Sequence, residues 1–556
     1  MRLGANPRVD GGQSGRPVSR RRPVRTRRQA ADARGCGSGF GGPAAGARRD
    51  HRTGVVTTGG GSRGAVVVPP GISLSDFYYI LPEIVLTAGA LVLLVVDARL
   101  PRGSRALTWV TMAVLLATAV SLVPFRNTDV EVSQGLLAVD QFALFFKVVF
   151  LVAAAMTVLM SERYLQVEGA SFGEYYFLIL CSTLGMMIMA GSIDLISAFV
   201  GLETMAVSFY ILAGFIKPNQ RSNEAAVKYF LLGAFSLGIL LYGMSILYGV
   251  SGTTNLRTMA TVFVGHERNP LLVLAVILVV AGMEFKIAAV PFHMWAPDVY
   301  EGAPTPVTAF LSVGSKAASF AMLLRIFVEG LPSMDADWRL LFEMLAIVTM
   351  TVGNVAALTQ SNLKRMLAYS SIAHAGYLLI GVVAGTPRGI SAMLIYLLIY
   401  SFMQLGAFAV IVMMRRKDVV GDELKDLSGL YHRQPFAAFA MLVFMLSLGG
   451  IPPTAGFMGK LWLFGAAIDA GYVWLAVIGV LNSAVSLYYY LRIVVFMYLK
   501  KETIGSEPTL SPALTLTLGV AVAATLVLGV YPGLLFDLAE ASARTLGASG
   551  VTAAIR

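Results

Sequence analysis

Two cysteines, Cys36 and Cys181, are all that the 556 residues contain. So few exclude a cysteine-ligated iron–sulfur cluster and any disulfide framework. The five histidines are scattered, without the repeated intrahelical pairs that haem ligation uses. No glycine-rich phosphate loop follows a strand. The chain therefore has no evident redox centre and no nucleotide site of its own. Charge is scarce as well: 13% of residues are Asp, Glu, Lys or Arg, against about 25% in soluble domains. Ten-residue stretches of alternating polarity are missing, which excludes a transmembrane barrel. What remains is 56% hydrophobic with a mean hydropathy of +0.71, the composition of an all-α polytopic membrane protein.

Apolar stretches long enough to cross a bilayer as helix recur from Tyr79 to Phe536. They predict about 14 spans, at 79–97, 106–124, 139–160, 174–191, 194–215, 225–249, 271–296, 304–328, 338–358, 366–385, 390–414, 436–465, 472–498 and 511–536. Connections are short throughout, so no soluble domain is expected. Span 7 is interrupted by Pro291, and span 12 by Gly449, Gly450, Pro452 and Pro453. Proline removes a helix donor and clashes with the preceding turn, and backbone freed in lipid must be satisfied by protein or water. Broken spans at corresponding places in two halves point to inverted repeats. Spans 4–8 and 9–13 are read as two such five-helix repeats, each with a lysine and a tryptophan (Trp295, Trp462) near its break.

Residues 1–75 are a different material, rich in Gly, Arg, Pro and Ala. Residues 1–63 hold fourteen Arg, no Lys and three Asp, and 14 − 3 equals the formal net charge of the whole chain, +11. The expected organisation is a basic disordered tail over 1–75, a transmembrane domain over 76–540 and a short tail over 541–556. Positive loops after spans 1, 5, 9, 11 and 13 (Arg99, Arg102 and Arg105; Lys217 and Arg221; Lys364 and Arg365; Arg415 to Lys417 with Lys425 and Arg433; Lys500 and Lys501) fall on one side, the cytoplasm. Fourteen spans then put both termini outside, where a tail of +11 is disfavoured. Two readings follow: the tail is translocated, or translation starts later at a valine such as Val55 or Val66. The second is favoured.

Four charged side chains sit deep inside apolar runs: Glu203 in AFVGLETMAVSF, Lys286 in VVAGMEFKIAAV, Lys316 in FLSVGSKAASFA and Lys460 in AGFMGKLWLF. One such charge at bilayer depth costs roughly 2.5–3.5 kcal/mol on insertion scales, and an acidic and several basic groups there are the inventory of a proton path. Glu203 and Lys286 are natural ion-pair partners, either static or as a lysine whose hold on its proton is set by its distance from the carboxylate. Snorkelling explains Lys316 poorly, since apolar residues extend on both sides, and Lys460 somewhat better. For Lys228, snorkelling and function stand level; for His293 and His374, so do packing and proton relay. Asp140, Asp194 and Glu83, at span ends, are read as interfacial. Glu284, two residues before Lys286, has no account.

Three stretches then carry a resemblance: KIAAVPFHMWAPDVYEGAPTPVTAFLSVGSKAA (286–318), NLKRMLAYSSIAHAGYLL (362–379) and GGIPPTAGFMGKLWLF (449–464). They resemble the antiporter-like subunits of respiratory complex I, the bacterial NADH–quinone oxidoreductase, over essentially every span. Lysine rather than histidine at Lys316, lysine rather than the M type's glutamate at Lys460, and an end soon after span 14, without the L type's long lateral helix, make the chain similar to the N-type branch. The resemblance implies 14 helices with broken spans 7 and 12, and proton half-channels joined through Glu203, Lys286, Lys316 and Lys460. It implies no cofactor on this chain, with NAD, FMN, iron–sulfur clusters and quinone in partner subunits. It also implies membrane neighbours of the M, K and L types in the bacterial plasma membrane, and no nucleic acid. A subunit of a multisubunit cation/proton antiporter is the alternative. A scaffold with inert charges is disfavoured by four separate insertion penalties.

Overall fold

The computed structural model describes residues 73–101, 103–170, 172–265, 269–415, 421–501 and 511–548. The basic segment before residue 73, with Val55 and Val66, lies outside the described residues, as do residues 549–556 and the loop charges Arg102, Arg268, Arg416 and Lys417. The chain divides into Met1–Val66 and Val67–Arg556, and every described residue belongs to the second unit.

Among the described residues twelve helices are long and apolar enough to cross a membrane. They occupy expected spans 2 to 11, 13 and 14. The remaining two are helical but shorter: span 1 is the 17-residue Leu81–Asp97, and span 12 is two 15-residue helices, Pro435–Gly449 and Ala455–Asp469. Many spans start on a polar cap that accepts from the first free N–H groups, which lipid cannot satisfy. Asp140 caps Gln141–Glu168, accepting from Ala143 N at 2.8 Å, and Asp194 caps Leu195–Ala213, accepting from Ile196 N at 2.8 Å. Asn362 and Thr386 do the same for Leu363–Ala384 and Pro387–Met414.

The two broken spans share a backbone pattern. Pro270–Ile287 ends on left-handed Ala288 (φ 58°), passes the cis Val290–Pro291 bond and resumes as Trp295–Gly302. Pro435–Gly449 ends on left-handed Gly450 (φ 83°), passes the cis Pro452–Pro453 bond and resumes as Ala455–Asp469. These halves are 7a, 7b, 12a and 12b below. Span 8, Thr305–Gly330, is unbroken but includes two π-helical stretches, Leu311–Ser315 and Arg325–Gly330, around the α-helical Lys316–Leu324. π-Turns of this kind concentrate at functional sites.

Spans 3, 8, 10 and 11 are enclosed on nearly all sides, whereas spans 2, 6, 9 and 13 turn large apolar faces outward. A helix apolar all round belongs inside, so the enclosed spans form the centre. Small residues draw neighbours together there: a Cβ on Gly376 of span 10 would meet Met350 N of span 9 at 2.7 Å.

Three smaller elements depart from the expected series. A hairpin, Val130–Val132 with Leu137–Val139, joins spans 2 and 3. The short helix Leu256–Val262 follows span 6, tied to that hairpin by Asn255 Nδ2, which donates to Gly135 O at 2.9 Å. Beyond span 14, Gly533–Ala548 is helical across the boundary expected at 540, with Ser542 donating to Gln141 O at 3.1 Å.

Candidate functional site in the enclosed spans

Glu203 and Tyr210 lie seven residues apart on span 5, hence on one helix face. Lys286 is in the last turn of 7a, 3% exposed, its Nζ 5.8 Å from the ring centroids of both Tyr210 and Phe285. The direct Glu203–Lys286 ion pair expected from sequence is not made. Glu203 Oε1, Tyr210 Oη and Lys286 Nζ are each buried without a hydrogen-bond partner. The physical reason is the end of 7a: Ala288 terminates the helix and the ammonium lies over the two rings. Glu203 remains within electrostatic reach of both groups.

The freed end of 7a is otherwise well bonded. Trp295 Nε1 of 7b donates to Phe285 O at 2.8 Å, and Ala289 N to Glu284 O at 2.8 Å. Trp295 also stacks on Tyr229, centroids 4.6 Å apart. The tryptophan near the break thus replaces a helix hydrogen bond that the break removes.

Lys316, 2% exposed, begins the α-helical part of span 8 directly after the first π stretch. Its Nζ donates to the Ser371 carbonyl and, at 2.7 Å, to Ser371 Oγ on span 10. Ser371 Oγ also accepts from Tyr400 Oη of span 11 at 2.9 Å and lies 3.4 Å from Tyr300 Oη of 7b. Snorkelling is thereby excluded for this lysine: its ammonium bonds inward.

One turn along span 10 from Ser371 stands His374, 1% exposed. Its Nδ1 is 2.6 Å from Tyr396 Oη, and its Nε2 is 3.1 Å from Tyr490 Oη, which is 2.5 Å from Ser370 Oγ. Neutral imidazole offers one donor and one acceptor, so both hydroxyls can be satisfied at once. The imidazole ring lies 5.1 Å from Tyr400 on the Lys316 side and 5.6 Å from Tyr377 on the other.

Lys460, 3% exposed, sits on 12b, with Nζ 4.9 Å from the Tyr377 centroid. It donates back to Leu448 O at 2.9 Å, Gly449 O at 3.3 Å and Ser483 Oγ at 2.8 Å. Leu448 and Gly449 end 12a, where unsatisfied carbonyls and the negative end of the helix dipole favour a cation. Lys460 therefore clasps the two halves. Gly450 makes room for it: besides φ 83°, a Cβ there would lie 3.1 Å from Lys460 Cδ. Gly450→Ala is expected to cost about 1–3 kcal/mol for the left-handed residue alone and to displace the ammonium. A melting temperature and a proton-to-NADH ratio for the assembled variant, both unchanged, would refute this.

Lys316, Ser371, Tyr400, His374, Tyr377 and Lys460 thus form a continuous buried line from span 8 to span 12. The other candidates stand apart from it. Lys228 is 42% exposed by side chain and bridges Glu224 and Asp298, both at 2.8 Å. His293 lies in the turn between 7a and 7b, its Nδ1 buried and unpaired. Glu284 is 5% exposed with Oε2 unpaired. Asp140, read as interfacial, is fully buried within the protein at the start of span 3, where Arg325 reaches it from span 8. Asp194 is a buried cap, and Glu83 pairs with the buried Lys147 at 2.7 Å.

Sequence reasoning missed Lys147 and Arg325, although each is a charge inside an apolar run, in FALFFKVVFLV and AMLLRIFVEG, the signal used for the other four. It also missed the line's tyrosines, which look in sequence like any membrane aromatic. Lys364, read as a loop charge, is 5% exposed and donates to Ala303 O at 2.8 Å. Among the described residues no group of three His, Cys, Asp or Glu is placed to hold a metal ion.

At the end of the bundle where span 8 starts, a polar cavity of about 460 Å³ opens, lined by Tyr164, Arg221, Thr305, Lys364, Arg415 and Asp422.

Comparison with known proteins places this arrangement. Residues 192–486 match the transmembrane family described as NADH:quinone oxidoreductase/Mrp antiporter. The NADH-quinone oxidoreductase subunit N of Trichlorobacter lovleyi is 48% identical over 84% of this chain and 97% of its own length. Subunit N 2 of Rhizobium meliloti is 46% identical over 83% and 97%. Among solved structures, a chain of respiratory complex I from Thermus thermophilus with bound aureothin superposes with a TM-score of 0.71 at 34% identity, over 83% of this chain and 99% of that one. A chain of the Mrp complex from Dietzia shares the fold, with TM-score 0.75 at 24% identity over 86% and 99%. On this family match and these identities, the chain belongs to the subunit N family of the NADH–quinone oxidoreductases and is a proton-translocating membrane subunit of that complex.

Proposed function

We propose that protons cross this subunit by way of Glu203, Lys286, Lys316, His374 and Lys460. The observation that carries the reading is the unbroken line of contacts from Lys316 to Lys460 through Ser371, Tyr400, His374 and Tyr377. Lysine and histidine exchange protons, and tyrosine and serine hydroxyls orient them. Lys286 receives a proton and holds it under the influence of Glu203. Water completes the step to Lys316 and the steps on either side of His374, where the contacts are ring to ring and ammonium over ring rather than hydrogen bonds. Lys460, facing the break in span 12, releases it.

The polar cavity at the start of span 8 lies on the side that the positive loops assign to the cytoplasm, which puts both chain ends outside in a bacterial plasma membrane. NADH, FMN, iron–sulfur clusters and quinone act in partner subunits, and this chain contacts neighbours of the M and K types and the lateral helix of the L type. The alternative of a cation/proton antiporter subunit is set aside by the 48% identity to an NADH-quinone oxidoreductase subunit N.

Glu203→Ala should lower proton transfer through this subunit roughly tenfold, equivalent to about 1.4 kcal/mol of lost interaction with protonated Lys286. Glu203→Asp should retain more, since the charge persists at shorter reach. The assay is protons pumped per NADH oxidised in vesicles holding the assembled complex. Normal pumping by the alanine variant would remove Glu203 from the path.

A further inference from the structure

Beyond Lys316, towards the face opposite the polar cavity, span 8 runs through Ala317, Ala318, Ser319, Phe320, Ala321, Met322, Leu323 and Leu324, all buried. The only hydroxyl there, on Ser319, is spent on Ser315 O at 2.7 Å. Nine residues after Lys316, about 13 Å along the axis, the second π stretch starts with Arg325, which is 1% exposed. Its guanidinium is bonded on every side. Nε donates to Ala190 O at 3.2 Å, Nη1 to Glu329 Oε2 at 2.9 Å, and Nη2 to both oxygens of Asp140 at 2.8 and 2.7 Å. The plane lies 4.8 Å from the Phe142 ring centroid. Glu329 Oε1 in turn accepts from Arg257 Nε at 2.6 Å, and Arg257 Nη1 donates to Glu131 at 2.5 Å.

This five-residue lattice draws on span 8, the cap of span 3, the short helix after span 6 and the hairpin before span 3. It differs from the surroundings of Lys286 in one respect. Around Lys286, three polar atoms are unpaired; here Asp140 and Glu329 have both oxygens engaged and Arg325 has all three nitrogens engaged. Arginine keeps its proton at any accessible pH. The buried part of the lattice, Arg325 with Asp140 and Glu329, offers a migrating proton neither a donor that lets go nor a carboxylate oxygen left unengaged.

We infer that Arg325, held by Asp140 and Glu329, is the insulating barrier that stops a proton on Lys316 from leaving down span 8 and so directs it sideways to His374 and Lys460. The inference rests on the route proposed above. It assigns Arg325 a positioning role: it touches no transferred proton but decides where one can go.

The test is passive proton permeability of vesicles containing the purified, assembled complex, with an imposed potential and no NADH. Arg325→Lys keeps a positive charge but loses the flat fork that spans two carboxylates, and lysine can hand on a proton. It should raise the leak several-fold in a complex that, assayed separately, still oxidises NADH. Arg257→Gln, at a partly exposed side chain, releases Glu329 from one side only and should leak less than Arg325→Lys but more than the parent. Adding Lys316→Ala to Arg325→Lys should bring the leak back to the parental level. A merely structural arginine would alter assembly or melting temperature without a leak. Parental leak rates in assembled Arg325→Lys and Arg257→Gln overturn the proposal, as does a leak indifferent to Lys316. Because no NADH is present, this result is independent of the pumping assay on Glu203.

Discussion

Lys286→Ala is expected to reduce proton transfer through this subunit by about 10², the lower end of what a positioned proton-transfer group contributes. Lys286→Arg is not expected to restore it. The site explains why charge alone is insufficient. Lys286 Nζ has no hydrogen-bond partner and rests over two aromatic rings, a setting in which a lysine can both hold and surrender its proton. Arginine retains the charge and the attraction to Glu203 but keeps its proton, and its wider fork brings five donors to a place with no acceptor in contact. The measurement is the proton-to-NADH ratio of the two variants in vesicles, with NADH oxidation followed separately to establish assembly. A fully active arginine variant would show that the site supplies fixed charge only.

The second expected result concerns the far part of the line. Lys316→Ala and Lys460→Ala should each impair pumping severely, and the double variant should be little worse than the worse single. Steps in series along one path are non-additive. The singles fail differently. Without Lys316, Ser371 loses the ammonium that joins span 8 to span 10. Without Lys460, Leu448 O and Gly449 O at the end of 12a lose their cation, so part of that loss is structural. Lys460→Arg separates the two effects, since it can still bond those carbonyls but keeps its proton; pumping should remain low while melting recovers. Clearly additive losses in the double variant would mean two separate paths, and the single line would have to be given up.

Much of this was legible in the sequence because lipid is a strict solvent. The spans, the two breaks and the four charges follow from insertion cost and from proline and glycine chemistry; most helix boundaries moved by a few residues, while span 3 runs on from the expected 160 to Glu168. Contacts were not legible. Glu203 and Lys286 look like a pair because opposite charges at similar depth should meet, yet the end of 7a leaves the ammonium over rings. Asp140 looked interfacial because it caps a helix, and only span 8, 185 residues later in the chain, shows why it is buried. Tyr396, Tyr400 and Tyr490 carry no mark in sequence that separates a hydrogen-bonding tyrosine from a packing one. Lys147 and Arg325 could have been read and were not, since both lie near span ends where positive charge is ordinary.

The π stretch Leu311–Ser315 also bears on how span 8 tolerates changes in chain length. A π-turn holds one residue more than the α-turn it replaces, so the wide turn already absorbs an extra residue without rotating the segments on either side. Shortening this stretch by a single residue would let it relax to α-helix with Thr305–Phe310 and Lys316–Leu324 still facing their present neighbours. The same deletion inside the regular Lys316–Leu324 segment would instead turn everything beyond it by about 100°. The tolerance of this span to a one-residue deletion should therefore be highest where its helix is least regular.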